Sequence, residues 1–248
     1  MTNNYHIGPS RDEVQAHRGA SAIAPENTLA AFRAAAEQGA RWVELDVALL
    51  GDDTLVVIHD DSVDRTTSGR GSLGELTAAD IASLDAGTWF DPKFSGERLP
   101  TLSQVIALLG ELGLSANVEI KQHKHHKSLD HLVHAVQAAI AGRSADTGIM
   151  ISSFDPQALA AMHALEPDLE MAMLWWSPPA DWQDVLKAIP SRTIHMNYKA
   201  LSIALLEETS RNGVKVRAWT SNNPVELVSF WGAGLTGVIT DNPSLFLG

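Results

Sequence analysis

Two carboxylates that could share a metal ion alternate along the apolar run Trp42–Val47. Side chains two residues apart in a β-strand point to the same face, so Glu44 and Asp46 lie together, opposite the apolar side chains of the run. Two adjacent carboxylates repel each other, and burying either one alone is costly. A hard divalent cation is the simplest partner that lets both stay ionised.

A third carboxylate, Glu119, lies in a similar strand-like segment between Val118 and Ile120. Three carboxylates at one end of a sheet would suit Mg²⁺ or Ca²⁺, which take oxygen ligands and leave coordination positions for a substrate. The residues alone leave a second interpretation open, in which these carboxylates form structural ion pairs with Arg18 or Lys121.

Two histidines, His17 and His59, lie near the ends of strand-like runs. Imidazole titrates near neutral pH, so one ring could remove a proton while the other donates one. The alternative is a core or surface role, since the chain contains ten histidines. Arg18 and Lys121 could hold phosphate oxygens, the first with a bidentate guanidinium and the second as a point charge, or balance the carboxylates.

Alternating strand and helix signals predict the elements that position these residues. The run Thr54–His59 follows the second strand after a turn alone, whereas a parallel neighbour needs a longer crossover, so we assign it to an insertion at about residues 51–100. The pattern predicts a single domain over residues 1–248, an α/β (β/α)8 TIM barrel with its chemistry at the C-terminal ends of the strands. The eight predicted parallel strands begin near residues 14, 42, 115, 148, 170, 193, 214 and 237.

Composition limits the classes of partner. The net charge of −12 disfavours nucleic acid and anionic membrane surfaces, which both require a basic face. The absence of cysteine excludes disulfides and thiolate metal sites. A polar N-terminus without an apolar signal core, and no long apolar run, predict a cytoplasmic protein without stable membrane association. The sequence leaves the oligomeric state open.

Taken together, the motifs resemble those of the glycerophosphodiester phosphodiesterase family, collinearly over residues 16–241. The motifs that carry the resemblance are HRG, PENT, ELDV, HD followed by RTT, NVEIK, AWT and GVITD. The resemblance implies a TIM barrel that hydrolyses a small glycerophosphodiester to glycerol 3-phosphate and an alcohol, with one divalent cation as cofactor. Alternatives are a lysophospholipase D or phosphoinositide-type phospholipase on the same barrel, and a non-catalytic phosphate-ligand binding protein.

The resemblance also assigns roles to individual residues. It places the divalent cation, Mg²⁺ or Ca²⁺, on Glu44, Asp46 and Glu119. It makes His17 and His59 the general acid–base pair, without deciding which is the acid.

For such a substrate, Arg18 and Lys121 would bind the phosphate group. Trp219 could pack on the apolar face of glycerol and Phe154 could close the other side, with core packing as the alternative for both. For residues 240–241 we expect a supporting or helix-capping role and not catalysis.

Several further motifs receive weaker interpretations. We expect the tract at residues 122–127, QHKHHK, to be a solvated loop, and the pair at residues 175–176 to belong to the core. The alternative for both is contact with the alcohol part of the substrate. Thr28 is predicted to cap a helix. Glu26 and Asn27 could either support the segment at residues 17–19 or form part of the same cap.

Overall fold

Eight parallel strands close into a barrel in the computed structural model, which describes residues 8–121, 123 and 127–247. The strands are β1 (Val14–His17), β2 (Trp42–Leu49), β3 (Leu55–Val57), β4 (Ser115–Ile120), β5 (Ile149–Ser153), β6 (Glu170–Trp175), β7 (Thr193–Asn197), β8 (Lys215–Trp219) and β9 (Gly237–Thr240). Hydrogen-bonded neighbours follow the order β1-β9-β8-β7-β6-β5-β4-β2, and pairing of β1 with β2 closes the ring. The predicted (β/α)8 fold is therefore confirmed.

Helices connect the parallel strands, and all but the one at Trp182–Ala188 begin after a residue whose side chain caps them. The Thr28 hydroxyl accepts a hydrogen bond from the backbone N–H of Ala31, as the sequence predicted. Thr101 and Gln104 form a capping box at another helix start. The helices are α1 (Leu29–Glu37), α2 (Ala78–Ile81), α3 (Leu102–Leu112), α4 (Leu129–Ile140), α5 (Pro156–Leu165), α6 (Trp182–Ala188), α7 (Ile203–Arg211) and α8 (Pro224–Trp231). Among the described residues, none of these helices is long and apolar enough to cross a membrane.

The ninth strand, β3, stands outside the parallel ring. It pairs antiparallel with β2, with Val57 opposite Val47, as expected for a strand reached through a turn. It is shorter than the predicted run, so His59 follows the strand instead of ending it. The segment after β3 has its own small apolar cluster, which fixes the chain on either side of His59. The buried members of this cluster are Ala48, Leu50, Val56, Ile58, Val63, Leu73, Ile81, Ala86 and Leu99.

A tight turn after β1 requires a glycine at residue 19. Arg18 and Gly19 both have positive φ, 55° and 82°, and together they reverse the chain toward α1. A Cβ atom on Gly19 would lie 2.6 Å from the backbone carbonyl carbon of Ala31, so a side chain there meets both an unfavourable φ and a steric clash. Close packing of α1 on this turn fixes the backbone next to His17.

We expect Gly19→Ala to lower the free energy of unfolding by roughly 1–3 kcal/mol, the usual cost of a strained backbone position. Urea denaturation of the purified variant measures this change. The matched control is Gly142→Ala, because Gly142 does not have positive φ and its added Cβ would have its nearest neighbour at 3.8 Å. Equal stability of the two variants would contradict the prediction.

Candidate active site

The three predicted carboxylates meet at the C-terminal end of adjacent strands. Glu44 and Asp46 lie on β2, and Glu119 lies on β4 directly opposite Asp46 in the parallel register. Each contributes an oxygen within 4.8 Å of the others. Their apolar neighbours along β2, Val43 and Leu45, are fully buried in the main hydrophobic core, so the strand alternation separates the two faces as predicted.

Burial and mutual repulsion shift the pKa values of the carboxyl groups in this cluster. Burial, followed by the charge of Asp46, raises the pKa of Glu119 to about 8. Burial and the charges of Asp46 and Glu119 also raise the pKa of Glu44. Burial opposes ionisation of Asp46 as well, but the nearby charge of Arg18 leaves its pKa lowered. The cluster therefore lacks the positive charge needed for all three groups to ionise.

A hard divalent cation fits this cluster. Ligand oxygens at about 2.3–2.6 Å from Ca²⁺ lie no more than roughly 5 Å apart, which matches the 4.8 Å limit among Glu44, Asp46 and Glu119. The donor set contains oxygen alone, the preference of Mg²⁺ and Ca²⁺.

Arg18 contacts the cluster from the turn after β1. Its Nε atom lies 3.3 Å from Asp46 Oδ2, and its backbone N–H donates to Glu44 Oε2 over 3.1 Å. The ion pairing considered from the sequence is thus present for Arg18. Its Nε–H is nevertheless buried without a hydrogen-bond acceptor among the described residues, which leaves a donor for a ligand oxygen.

His17 is oriented by a carboxylate from the other end of the chain. Its Nδ1 atom donates to Asp241 Oδ1 over 2.6 Å, and its Nε2 atom lies 3.9 Å from Glu44 Oε2. Asp241 also accepts hydrogen bonds from Ser21 and Asn222. Although burial acts against it, hydrogen bonding from His17 helps to lower the pKa of Asp241 to about 2. Asp241 therefore supports a histidine, the kind of role that the sequence indicated.

His59 is also oriented by a carboxylate that accepts a hydrogen bond from its Nδ1 atom. Its Nδ1 atom donates to Asp60 Oδ1 over 2.7 Å. Lys121 Nζ donates to His59 Nε2 over 3.1 Å and to the His59 carbonyl oxygen over 3.0 Å. The hydrogen bond from Arg65 holds the pKa of Asp60 far below its usual range. Burial lowers the pKa of His59, so its neutral form is favoured.

An ion-pair chain connects the surroundings of the two histidines. Arg65 donates to Asp60 over 2.6 Å and to Glu26 over 2.7 Å, and Glu26 accepts from Arg18 over 2.8 Å. Glu26 thus bridges two arginines, which corresponds to the supporting role and not to the helix cap. Sequence reasoning assigned no role to Arg65, although it begins the RTT motif that follows His59-Asp60.

Asn27 joins the same network with its side chain. Its Nδ2 atom donates to Asp46 Oδ2 over 2.9 Å, and its backbone N–H donates to the Arg18 carbonyl oxygen over 2.9 Å. Asn27 adopts a positive φ of 57°, a conformation that asparagine tolerates better than most residues. The contact to the segment at residues 17–19 comes from the backbone, and the side chain orients a carboxylate.

Three aromatic side chains form one wall of the cavity above the carboxylates. Trp219 ends β8, Phe154 follows β5 and Trp176 follows β6. The cavity has a volume of about 510 Å³, and His17, Arg18, Glu44, His59, Glu119 and Lys121 line its other side. Phe154 is 40% exposed and Trp176 is 65% exposed, so neither is a core residue.

The predicted core position is wrong for Trp176 and correct for its neighbour. Trp175 is the last residue of β6 and packs against the main hydrophobic core. Trp176 lies one residue beyond the strand and lines the cavity instead. An exposed tryptophan beside a polar cluster is typical of a ligand-binding surface.

The predicted solvated loop is also wrong at His123. This side chain is buried, and its Nδ1 atom lies 2.9 Å from Asp61 Oδ1 in the segment after β3. The reason is a tertiary contact that the polar tract does not reveal. Residues 122 and 124–126 of the tract lie outside the described residues.

Comparisons with known proteins agree with this architecture. The glycerophosphoryl diester phosphodiesterase family model matches residues 17–245. A glycerophosphodiester phosphodiesterase of Caldanaerobacter subterraneus subsp. tengcongensis is 37% identical over 237 residues, which cover 94% of this chain and 96% of that protein. A protein of the same description from Bacillus subtilis is 32% identical over 257 residues, which cover 97% of this chain and 87% of that protein.

Solved structures share the fold. The structure of an Oleispira antarctica phosphodiesterase, in complex with the product sn-glycerol-3-phosphate, superposes with a TM-score of 0.90 at 32% identity. The match covers 97% of this chain and 96% of that one. A closed barrel, a carboxylate cluster at its C-terminal end and a family match over nearly its whole length show that the chain belongs to the glycerophosphoryl diester phosphodiesterase family.

Proposed function

We propose that this protein hydrolyses glycerophosphodiesters to glycerol 3-phosphate and an alcohol. The observation that carries the proposal is the meeting of the carboxylate cluster Glu44, Asp46 and Glu119 with two carboxylate-oriented histidines, His17 and His59, around one cavity. The Oleispira antarctica relative, described with sn-glycerol-3-phosphate as its product, supports the same substrate class.

The cofactor in this proposal is one divalent cation, Mg²⁺ or Ca²⁺, held by Glu44, Asp46 and Glu119. When bound, it would supply charge stabilisation and lower the pKa of a coordinated hydroxyl group. Arg18 and Lys121 line the same cavity and would bind the phosphate oxygens, where their charges offset the charge that spreads in the transition state.

Glycerol would occupy the space beside the aromatic wall. Trp219 and Phe154 line the cavity together, with ring centroids 5.7 Å apart and planes at 86°. Rings in this arrangement present flat apolar surfaces on which the carbon backbone of glycerol can pack. The hydroxyl groups of glycerol then face the polar side of the cavity.

We further propose that the 2-hydroxyl group of glycerol is the nucleophile. Its attack on phosphorus forms a five-membered cyclic phosphate and breaks the bond to the departing alcohol. One of His17 and His59 takes the hydroxyl proton, and the other protonates the departing oxygen. Water then opens the ring with the two roles reversed. Intramolecular attack gains an effective molarity on the order of 10⁵ M or more when the groups are well oriented.

Direct measurement of products tests the overall reaction. The purified protein, incubated with glycerophosphoethanolamine and a divalent cation, should release glycerol 3-phosphate and ethanolamine in equal amounts, measured by ³¹P NMR and an amine assay. Release of glycerol with phosphoethanolamine would show cleavage of the other ester bond and would contradict the proposal.

A substrate analogue tests the nucleophile. A phosphodiester that lacks the glycerol 2-hydroxyl group but keeps the rest of the molecule should be hydrolysed at least 10³-fold more slowly, roughly, because it cannot form the cyclic phosphate. The comparison is the ratio of kcat for parent and analogue under saturating conditions. Hydrolysis of the analogue at the rate of the parent would identify water as the nucleophile and remove the cyclic route.

A further inference from the structure

The aromatic wall extends beyond the pair of rings that glycerol requires. Trp176 completes a cluster of three rings, with its centroid 4.7 Å from Trp219 and 6.4 Å from Phe154. It is 65% exposed, far more than an aromatic side chain that serves packing alone. An exposed apolar surface that is continuous with a polar cavity marks a place where part of a ligand is bound.

Trp176 adds a binding surface of a particular chemistry. The aromatic wall offers π faces, whereas the uncharged acceptors that line the same cavity, on Asn117, Ser152 and Thr220, bring no negative charge to pair with an ammonium group. Among the described residues that line the cavity, the carboxylates are Glu44 and Glu119, which belong to the cluster assigned to the cation. A primary ammonium group that contacts the rings gives up part of its strong hydration, and its N–H donors find no carboxylate there apart from those assigned to the cation, which is costly.

A quaternary ammonium group loses no N–H hydrogen bonds when it contacts the aromatic rings. It has no N–H donor to satisfy, its surface is made of methyl groups, and its positive charge is attracted to the faces of aromatic rings. Two carbons separate the nitrogen of choline from the phosphodiester oxygen, so the group must lie in the cavity that holds the phosphate. The aromatic wall lines that same cavity, across from Arg18 and Lys121.

We propose that Trp176, the most exposed ring of the aromatic wall, binds the trimethylammonium group of a choline leaving group while Trp219 and Phe154 contact glycerol, and that this contact makes the protein selective for glycerophosphocholine. The inference rests on the proposed function, since the choline group is the alcohol that the reaction releases. Trp176 is the residue that determines specificity, because it is the most exposed ring and adds the surface that glycerol does not need.

Three substrates isolate the contribution of charge. They are glycerophosphocholine, its neutral 3,3-dimethylbutyl isostere with carbon in place of nitrogen, and glycerophosphoethanolamine. We expect kcat/KM for the choline ester to exceed that of the neutral isostere by roughly 5- to 30-fold, the range of a partly desolvated cation–π contact. The ratio of the two values is the readout, so errors in enzyme concentration cancel.

Variants of Trp176 test whether the aromatic wall causes the preference for the choline ester over the neutral isostere. Trp176→Leu keeps an apolar side chain without a π face, and the ratio should fall to within about 2-fold of unity. Trp176→Phe keeps a smaller π face and should give an intermediate ratio. Trp89→Leu is the matched control, since Trp89 is 39% exposed in the segment after β3 and does not line the cavity. Its ratio should equal that of the unaltered protein.

A measurement on the unaltered protein keeps the test independent of folding. Free choline should inhibit hydrolysis of glycerophosphoethanolamine at a concentration several-fold lower than 3,3-dimethylbutanol.

Equal inhibition, equal kcat/KM for choline ester and neutral isostere, or an unchanged ratio in Trp176→Leu would each overturn the choline assignment while leaving the hydrolase intact. Preference for a lysophospholipid over all three substrates would show that the wall binds an acyl chain. Absence of hydrolysis of every diester would instead overturn the proposed function together with this inference.

Discussion

Replacing His17 or His59 with alanine is expected to lower kcat for glycerophosphodiester hydrolysis by about two to four orders of magnitude each. The reason is that both transferred protons need a positioned imidazole, and each ring is oriented by a carboxylate that contacts its Nδ1 atom. Each Nε2 atom then lies on the side of the ring away from that carboxylate, where His17 Nε2 is 3.9 Å from Glu44 Oε2 and His59 Nε2 accepts from Lys121. Steady-state kinetics at saturating substrate measures the effect, with thermal unfolding to show that the variants remain folded.

A histidine outside the cavity provides the matched control. His134 lies on α4, where its Nδ1 atom donates a hydrogen bond to the carbonyl oxygen of Asp130 in the same helix. His134→Ala should retain kcat within a factor of two. If the losses in His17→Ala and His59→Ala appear in KM with kcat unchanged, the two residues bind the substrate and do not transfer protons.

Removal of the divalent cation is expected to abolish activity, and Mg²⁺, Ca²⁺ or a similar hard cation should restore it. The physical basis is the oxygen cluster of Glu44, Asp46 and Glu119, for which the charge of Arg18 alone is too little to keep all three carboxylates ionised. Glu119→Gln should eliminate cation-dependent turnover, because an amide oxygen carries no negative charge to hold the ion. The measurement is turnover of chelator-treated protein across a series of added cations.

Stability distinguishes loss of the cation from loss of the fold in Glu119→Gln. The pKa of Glu119 is raised to about 8 in the folded protein, so ionising it costs stability as the pH rises from the ordinary glutamate range toward 8. The uncharged amide removes this cost, and the melting temperature of the cation-free variant at pH 8 should equal or exceed that of the parent. Glu111→Gln, at an exposed position on α3, should change neither activity nor stability. Full activity in excess chelator would refute the metal hypothesis.

The carboxylate cluster shows why much of this site follows from the sequence. A period of two places Glu44 and Asp46 on one face of a strand, and the parallel register of a barrel places Glu119 opposite Asp46. The eight strand signals were strong because buried parallel strands are apolar runs bounded by helices. Eight such strands separated by helices were sufficient to predict a closed (β/α)8 barrel.

Contacts made by irregular segments could not be predicted in the same way. Arg65 reaches Glu26 across 39 residues, and His123 reaches Asp61 across 62 residues, from stretches without periodic patterning. Periodicity identifies the face of an element but not which loop covers it. The prediction for Trp176 was wrong for a related reason. Trp175 ends the strand and packs on the core, whereas Trp176, one residue later, lines the cavity, and the sequence does not define the strand end to within one residue.

The contact between His17 and Asp241 has a consequence for the order in which the protein becomes active. The two residues are 224 positions apart, and β1 pairs with both β2 and β9. Contacts between distant parts of a chain carry the largest loop-closure entropy, so they form late in folding. A nascent chain that has emerged only as far as β8 already contains both histidines and all three carboxylates, yet His17 lacks the carboxylate that orients it. We therefore expect full catalytic competence to arrive with the last strand, so that a chain released before β9 is folded into place does not turn over substrate at the full rate.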